Sequence, residues 1–201
     1  MRRESHVRFW EGLGVQFPRA TRLIIVLSRE KDARSVMGVL PKRFGRYGLT
    51  LHPEKTRLIE FRRPDRRNGG EGGGTFDLLG FTHFWGMSRK GKWIVIRKTA
   101  RDRFGRAIRR VTEWCRRNRH SPVRKQWERL KQMLRGHFGY FGIIGNSNAL
   151  TRFRFGVTRA WRKWLDRRSQ RARVTWARMN ELLRRYPLPL PHIARPYSGI
   201  P

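Results

Sequence analysis

The sequence predicts an α+β fold in which a part containing strands is followed, from about residue 99, by an all-helical part. Before residue 99, short apolar runs are separated by turns rich in Gly and Pro, a pattern typical of strands. After it, apolar residues recur at helical spacing in four successive segments. Each of these apolar stripes is too narrow to form a core alone, so we expect the four segments to pack into a helical bundle.

The charge of the chain is strongly one-sided. It carries 48 Lys and Arg against 14 Asp and Glu, which gives a formal net charge of +34 and a pI near 12.0. A compact body with that charge repels itself unless a polyanion neutralises it, and nucleic acid is the obvious large polyanion. Because the chain also has 38% hydrophobic residues, 8 Trp and 12 Phe, it contains the material for a packed core and is not merely a disordered basic tail.

The composition also argues against several other classes of protein. The single cysteine, Cys115, excludes an internal disulfide framework and a multi-Cys zinc site, and it suits a reducing compartment. No run approaches 18 apolar residues, and the N-terminal segment lacks the apolar region of a secretory signal. We therefore expect a cytoplasmic protein that has no membrane partner.

The part containing strands begins with a segment that has no sustained period, residues 1–23, which stays unassigned. The apolar run Leu23–Leu27 predicts a buried strand, and Ser28 is placed to cap the helix that follows. We expect Pro41 to end or kink that helix. The apolar face of the helix consists of Ala33, Val36, Met37, Leu40 and Phe44.

A loop and a hairpin complete this part. Residues 62–75 are rich in Gly and Arg and predict a flexible loop. A phosphate-binding loop is disfavoured there, because these glycines neither follow a strand nor open an apolar helix. Phe76–Trp85 and Trp93–Ile96 predict the two strands of a hairpin, joined through the turn Gly86–Gly91.

The helical part carries 26 Lys and Arg against 5 Asp and Glu over residues 99–201. Its four apolar stripes are Phe104, Ala107, Ile108, Val111, Trp114 and Cys115; Val123, Trp127, Leu130, Met133, Leu134, Phe138 and Phe141; Leu150, Phe153, Val157, Ala160, Trp161, Trp164 and Leu165; and Trp176, Met179, Leu183 and Tyr186. A break at Ser121-Pro122 separates the first two. The proline-rich segment Pro187–Pro191 is expected to be extended and to lie over the bundle.

Four strings, in order along the chain, resemble one protein family. Gly48–Arg57 looks like the segment that follows the catalytic loop in the palm of group II intron reverse transcriptases, and Leu78–Phe81 looks like the last palm motif before the thumb. Leu134–Gly142 and Arg168–Trp176 resemble the thumb, or maturase-specific, domain of the same proteins. The resemblance implies that residues 24–98 are the C-terminal part of a palm and residues 99–201 a thumb/maturase domain.

The sequence departs from this family where the polymerase chemistry would lie. In the family an aromatic-Ala-Asp-Asp turn precedes the strand that we place at residues 23–27, whereas only Ala20 fits here, and Thr21 and Arg22 stand where the two aspartates belong. Two-metal nucleotidyl transfer needs such carboxylates to hold Mg²⁺. We therefore expect a truncated protein with no autonomous polymerase activity and no cofactor of its own; Mg²⁺ would be needed by the intron RNA or by a complete polymerase.

The candidate site residues are predicted to contact RNA rather than to perform chemistry, and none is predicted to be catalytic or to bind a metal. The resemblance places Lys55 near the incoming nucleotide and primer end, and it supports Arg135 and Tyr140, which lie in a glycine-interleaved segment, as residues that face RNA. The others form a charged face opposite the third apolar stripe, or follow it: Arg152, Arg154, Arg159, Arg162, Lys163, Arg167, Arg168, Arg171 and Arg173. The tryptophans Trp127, Trp161 and Trp164 are expected to fill the core rather than stack on bases.

The resemblance implies binding to structured group II intron RNA and assistance to its splicing, with the RNA supplying the chemistry. One alternative is a piece of a split RNA-directed DNA polymerase, whose fingers and catalytic palm come from a separate chain. A second is a decayed intron remnant with generic RNA affinity, and a third is a ribosomal-type or chaperone-like RNA-binding protein unrelated to introns.

Overall fold

The computed structural model describes residues 6–9, 24–53, 56–64, 74–171 and 173–194. The described elements run in the order β1 (His6–Phe9), β2 (Ile24–Leu27), α1 (Glu30–Gly45), β3 (Phe76–Leu78), β4 (Phe81–Met87), β5 (Trp93–Thr99), α2 (Arg101–Arg117), α3 (Val123–Phe141), α4 (Ser147–Asp166) and α5 (Trp176–Arg185). This confirms the predicted α+β class. The chain divides into two compact units, a first unit of residues 1–76 with 83–96 and a second unit of residues 77–82 with 97–201. The assignment of a palm remnant and a maturase domain to residues 24–98 and 99–201 stays a prediction.

The first unit contains the predicted strand and the helix that follows it. The expectation that the strand is buried was wrong, because β2 lies in a two-stranded sheet in which Val26 is 57% exposed and the other residues of β2 are half-buried. β2 pairs antiparallel with β1, a strand inside the segment that the sequence left unassigned. The helix α1 begins after Arg29, which is its N-cap without a side-chain hydrogen bond, so the expectation that Ser28 caps it was wrong. Pro41 lies inside α1 and does not end it, because the apolar face continues past the proline to Phe44 and packing outweighs one lost backbone hydrogen bond.

Aromatic packing forms the other recognisable core of the first unit. Phe61 is buried and meets Phe76 edge to face, with 4.7 Å between the ring centroids. It also stacks on Trp85 at 5.4 Å, while Phe76 stacks on His83 at 4.7 Å. These contacts place Phe61, which directly precedes the predicted loop, against the predicted hairpin; residues 65–73 of that loop lie outside the described part.

The predicted hairpin is present, with one additional turn. β3, β4 and β5 form a three-stranded sheet in that order, and Trp93–Thr99 supplies the last strand. The predicted first strand is interrupted at Leu79-Gly80, where both residues have positive φ, 49° and 83°. Two consecutive positive φ values are the requirement of a type I′ two-residue hairpin turn, which Gly80 meets without steric cost. The sequence signal was the glycine, which the strand pattern concealed.

The second unit is the expected helical bundle, in which α4 packs against α2 and α3. Nearly all members of the four predicted stripes lie in one core or pack against it, which confirms the helical spacing argument. The fully buried part of this core consists of Val111, Cys115, Leu130, Leu134, Phe138, Leu150, Phe153, Val157, Ala160, Trp161, Leu165, Met179 and Leu188. Trp176 is the exception, since 41% of its surface is exposed.

The proline-rich segment crosses the bundle as expected. Leu188 is buried in the core, and the prolines on either side of it accept hydrogen bonds through their carbonyl groups. The Trp127 indole N–H donates to Pro187 O at 2.8 Å, and Arg154 Nε donates to Pro189 O at 3.2 Å. Proline has no backbone N–H group, so an extended proline-rich segment cannot satisfy its own carbonyl groups. Side chains from α3 and α4 donate hydrogen bonds to these carbonyls instead.

Candidate RNA interface

The outer face of α4 carries a line of cations. Arg152, Arg159 and Lys163 follow one another at spacings of seven and four residues, which places them on one side of the helix, opposite the buried Val157 and Trp161. The line is about 16 Å long at the rise of an α-helix. Among the residues that the structure describes, no carboxylate pairs with these three side chains. The face is therefore an uncompensated positive strip suited to a phosphate backbone.

An exposed aromatic pair lies beside this strip. Phe155 on α4 stacks on Trp176 at the start of α5, with ring planes 6° apart and centroids 6.1 Å apart, and 56% and 41% of their surfaces are exposed. The Arg162 guanidinium lies 4.6 Å from the centre of the Trp176 ring, and that of Arg159 lies 5.9 Å from the centre of Phe155. Exposed aromatic faces with arginines over them are suited to stacking on unpaired bases.

The sequence prediction missed Phe155 and placed Trp176 in the core. The available signal for Phe155 was its position among the arginines of α4, well away from the buried stripe of that helix. Trp176 follows the correct helical spacing, but it is the first residue of α5 and does not belong to the bundle core or to the residues packed against it. The three tryptophans that were predicted to fill the core differ in burial. Trp161 is fully buried, whereas Trp127 and Trp164 pack against the core, are half-buried, and have cations over their rings.

Three arginines of the predicted set are engaged with the protein itself. Arg154 Nε donates to Pro189 O, and Arg162 Nη1 donates to Val174 O at 2.9 Å. Arg168 Nη2 donates to Ser121 O at 2.6 Å, and burial lowers the pKa of its guanidinium. These contacts order the turn between α4 and α5 and the proline-rich segment, so these arginines position the interface more than they extend it.

The remaining cations of this region are exposed. Lys163 and Arg167 lie over the Trp164 ring, at 5.6 and 5.4 Å from its centre. Arg171 and Arg173 lie on the connection from α4 to α5, and their side chains are accessible. They lengthen the positive surface from the outer face of α4 toward Trp176.

Arg135 and Tyr140 lie on α3, apart from the α4 strip. They are five residues apart in one helix and therefore about 140° apart around its axis, so they do not form a joint site. Arg135 is exposed. Half of the Tyr140 surface is exposed, but its hydroxyl donates to Leu79 O at 2.8 Å and its ring stacks on Phe81. Lys55, like Ala20, Thr21 and Arg22, lies outside the described residues.

The parts of the chain with a described structure show neither a candidate metal cluster nor a candidate membrane span. No three His, Cys, Asp or Glu residues there are grouped so that they could hold a metal ion. None of the helices there combines the length and apolar character that crossing a membrane requires.

Residues 104–183 match the family model for the group II intron, maturase-specific domain. The matched segment runs from α2 to α5 and includes the α4 strip and the aromatic pair, although it spans less than half of the 201 residues. The match supports a group II intron maturase-like protein. No curated protein matches the chain.

Proposed function

We propose that this protein binds structured group II intron RNA through α4 and the start of α5 and assists its splicing as a maturase, without autonomous polymerase activity. The observation that carries the proposal is a coincidence in position. The segment that matches the maturase-specific domain is the segment in which Arg152, Arg159 and Lys163 lack carboxylate partners among the described residues and Phe155 and Trp176 expose their rings.

The interface recognises RNA through two kinds of contact, one with phosphates and one with bases. The cations contact phosphates, which gives affinity and register but no sequence information. The aromatic pair stacks on unpaired bases, which folded RNA displays in loops and bulges. A protein that binds only the folded RNA stabilises that fold by about 2.7 kcal/mol at a concentration one hundred times its Kd. The RNA, with its Mg²⁺, then supplies the splicing chemistry.

The proposal is tested by binding a group II intron RNA from the same genome, with excess tRNA as competitor, over a salt series. A specific maturase keeps its preference for the intron above about 200 mM salt, where a generic polyanion binder loses most of its affinity. It also accelerates splicing at low Mg²⁺. Equal affinity for tRNA together with no effect on splicing would refute the proposal and leave generic RNA binding.

A charge-matched pair of variants locates the interface. Replacing Arg152, Arg159 and Lys163 by Gln removes three cations that no carboxylate of the described residues neutralises, so the log–log salt slope falls by about 2 to 3. The control replaces three exposed arginines that already pair with Glu113 or Glu128, which are Arg116, Arg117 and Arg124. Equal changes in the two variants would show that net charge, rather than the α4 face, governs binding.

The resemblance of Gly48–Arg57 and Leu78–Phe81 to palm motifs favours a second candidate function. In this case the chain is one piece of a split reverse transcriptase, and a separate chain supplies the fingers and the catalytic carboxylates. Mixing the two chains would then yield RNA-directed DNA synthesis that neither performs alone. Failure of the two chains to associate would eliminate this function and leave the maturase proposal in place.

A further inference from the structure

A cleft opens between α2 and α3, on a different side of α4 from the cationic strip. Its volume is about 550 Å³, within the range of small-molecule sites in proteins. The apolar part of its lining includes Met133 and Phe141 from α3 and Phe153 from the inner face of α4. The polar part is basic, with Arg103, Arg106, Arg110 and Arg129. The cleft thus combines an aromatic lining with four cations.

The arginines of the cleft come from two facing helices. Arg103, Arg106 and Arg110 are spaced by three and four residues and so share one side of α2, whereas Arg129 comes from α3. Asp102 pairs with Arg106 and lies 4.0 Å from Arg103. Within the described part of the chain, no carboxylate pairs with Arg110 or Arg129, so the cleft keeps an excess of positive charge.

His137 adds a polar group to this lining. Its ring stacks on Phe153 with a centroid distance of 3.6 Å and lies 4.6 Å from Phe141. Its Nε2 atom is buried and has no hydrogen-bond partner among the described residues. Burial lowers the pKa of the imidazole to about 4, so the ring is neutral at pH 7. A neutral ring adds no charge to the cleft, so the arginines alone set its electrostatic character.

We propose that this cleft receives one unpaired nucleotide of the bound RNA, with the base against the half-buried Phe141 and Met133 and its flanking phosphates on the arginines. The inference rests on the proposed function and adds a second contact to it. A simple anion would leave the aromatic lining without a contact, and an apolar ligand would leave the four arginines without a counter-charge. A nucleotide joins a flat aromatic ring to a negative charge, which matches both.

The chain supplies a matched pair of variants to test this site. Gly136 lines the cleft, and a Cβ atom built on it meets nothing within 4 Å. Gly139 lies three residues further along α3, is equally open, and is not part of the cleft lining. Gly136→Leu therefore fills the cleft, whereas Gly139→Leu does not. Both replace a helical glycine by leucine, so their effects on helix propensity are alike.

The probe is a short RNA duplex with one unpaired 2-aminopurine, compared with the same duplex fully paired. The full-length wild-type protein and Gly139→Leu should prefer the bulged duplex by about tenfold and change the 2-aminopurine fluorescence. Gly136→Leu should lose this preference and bind the paired duplex as before. As a second variant that leaves the core untouched, Arg110→Gln with Arg129→Gln should also reduce the preference.

Two results would overturn the inference. Either the wild-type protein binds the two duplexes equally, or Gly136→Leu keeps both the preference and the fluorescence change. The intron-against-tRNA competition, run on the same preparations, separates the two proposals. Retained intron preference with no preference for the bulge removes only the nucleotide site, whereas loss of intron preference in the wild-type protein removes the proposed function itself.

Discussion

Gln126 is a buried polar residue whose loss should strongly destabilise the helical unit. It is 1% exposed on α3, and its amide Nε2 lies within hydrogen-bonding distance of three carbonyl oxygens in the turn after α2, those of Asn118 at 2.7 Å, Arg119 at 3.2 Å and Ser121 at 2.9 Å. Its Oε1 accepts from the indole N–H of Trp161 at 2.8 Å. One side chain therefore joins the end of α2 to the centre of α4.

The substitution Gln126→Leu keeps the volume of the side chain and removes every one of these bonds. Trp161 is fully buried, so its indole N–H would lose its partner without access to water, at about 1–3 kcal/mol. The carbonyls of Asn118 and Arg119 are half-buried and would lose part of their solvation as well. Ser121 O keeps its bond from Arg168. We expect a total loss of about 3 kcal/mol or more in the free energy of unfolding.

Cys115 provides an assay specific to this unit. It is the only cysteine of the chain, it lies in the same core at 1% exposure, and burial raises its thiol pKa to about 12. Labelling by a thiol reagent at pH 7.5 therefore requires the bundle to open. When reclosing is faster than labelling, a loss of about 3 kcal/mol raises the labelling rate by about 10²-fold.

The control is Gln132→Leu, on the exposed side of the same helix, where only a bond from Arg129 is lost. Its labelling rate should stay within about threefold of the wild type, as for most surface substitutions. If Gln126→Leu labelled at the rate of this control, the hydrogen bonds would contribute nothing net, and the explanation of how α2 is joined to α4 would be wrong.

Three further predictions concern the same unit. The pKa of His137 falls from 6.5 to about 4 on folding, so its contribution of about 3 kcal/mol to the free energy of unfolding is present above pH 6.5 and is lost as the pH falls toward 4. The rate of Cys115 labelling between pH 7 and 4.5, corrected for the reagent's own pH dependence, should show this loss, and His137→Phe should remove it. Replacing Phe155 and Trp176 by Ser should lower the melting temperature, because about half of each ring is buried, but should leave the protein folded and weaken its binding to single-stranded RNA by about tenfold or more; equal binding would refute their stacking role. Leu188→Ala should cost about 2–4 kcal/mol in urea unfolding, since Leu188 is buried, whereas Leu190→Ala, at a 72% exposed position, should cost almost nothing; similar losses would mean that the proline-rich segment is not docked.

Much of the fold could be predicted because it depends on neighbours along the chain. Apolar spacing identified α2, α3 and α4, and an apolar run identified β2. The proline-rich segment was correctly expected to be extended over the bundle. Charge excess and four short strings indicated the class of protein, and the family match at residues 104–183 supports it.

The elements that escaped prediction were decided by competition between local preference and packing. Pro41 disfavours a helix, but an apolar face that continues on both sides of it outweighs that preference. Trp176 has the spacing of a core residue, yet α5 begins at the edge of the bundle, so its ring stacks on Phe155 instead. Spacing within one helix cannot show where a neighbouring helix ends.

The sequence by itself therefore determined the helices, the strand and the net charge, since each is a property of a short segment or of composition. Only the tertiary structure decided which cations have no carboxylate partner among the described residues, which rings pair on the surface, and that Arg129 faces the arginines of α2 across a cleft. These relations join residues from different helices. Their distances depend on how the bundle packs, and no periodicity along one helix encodes them.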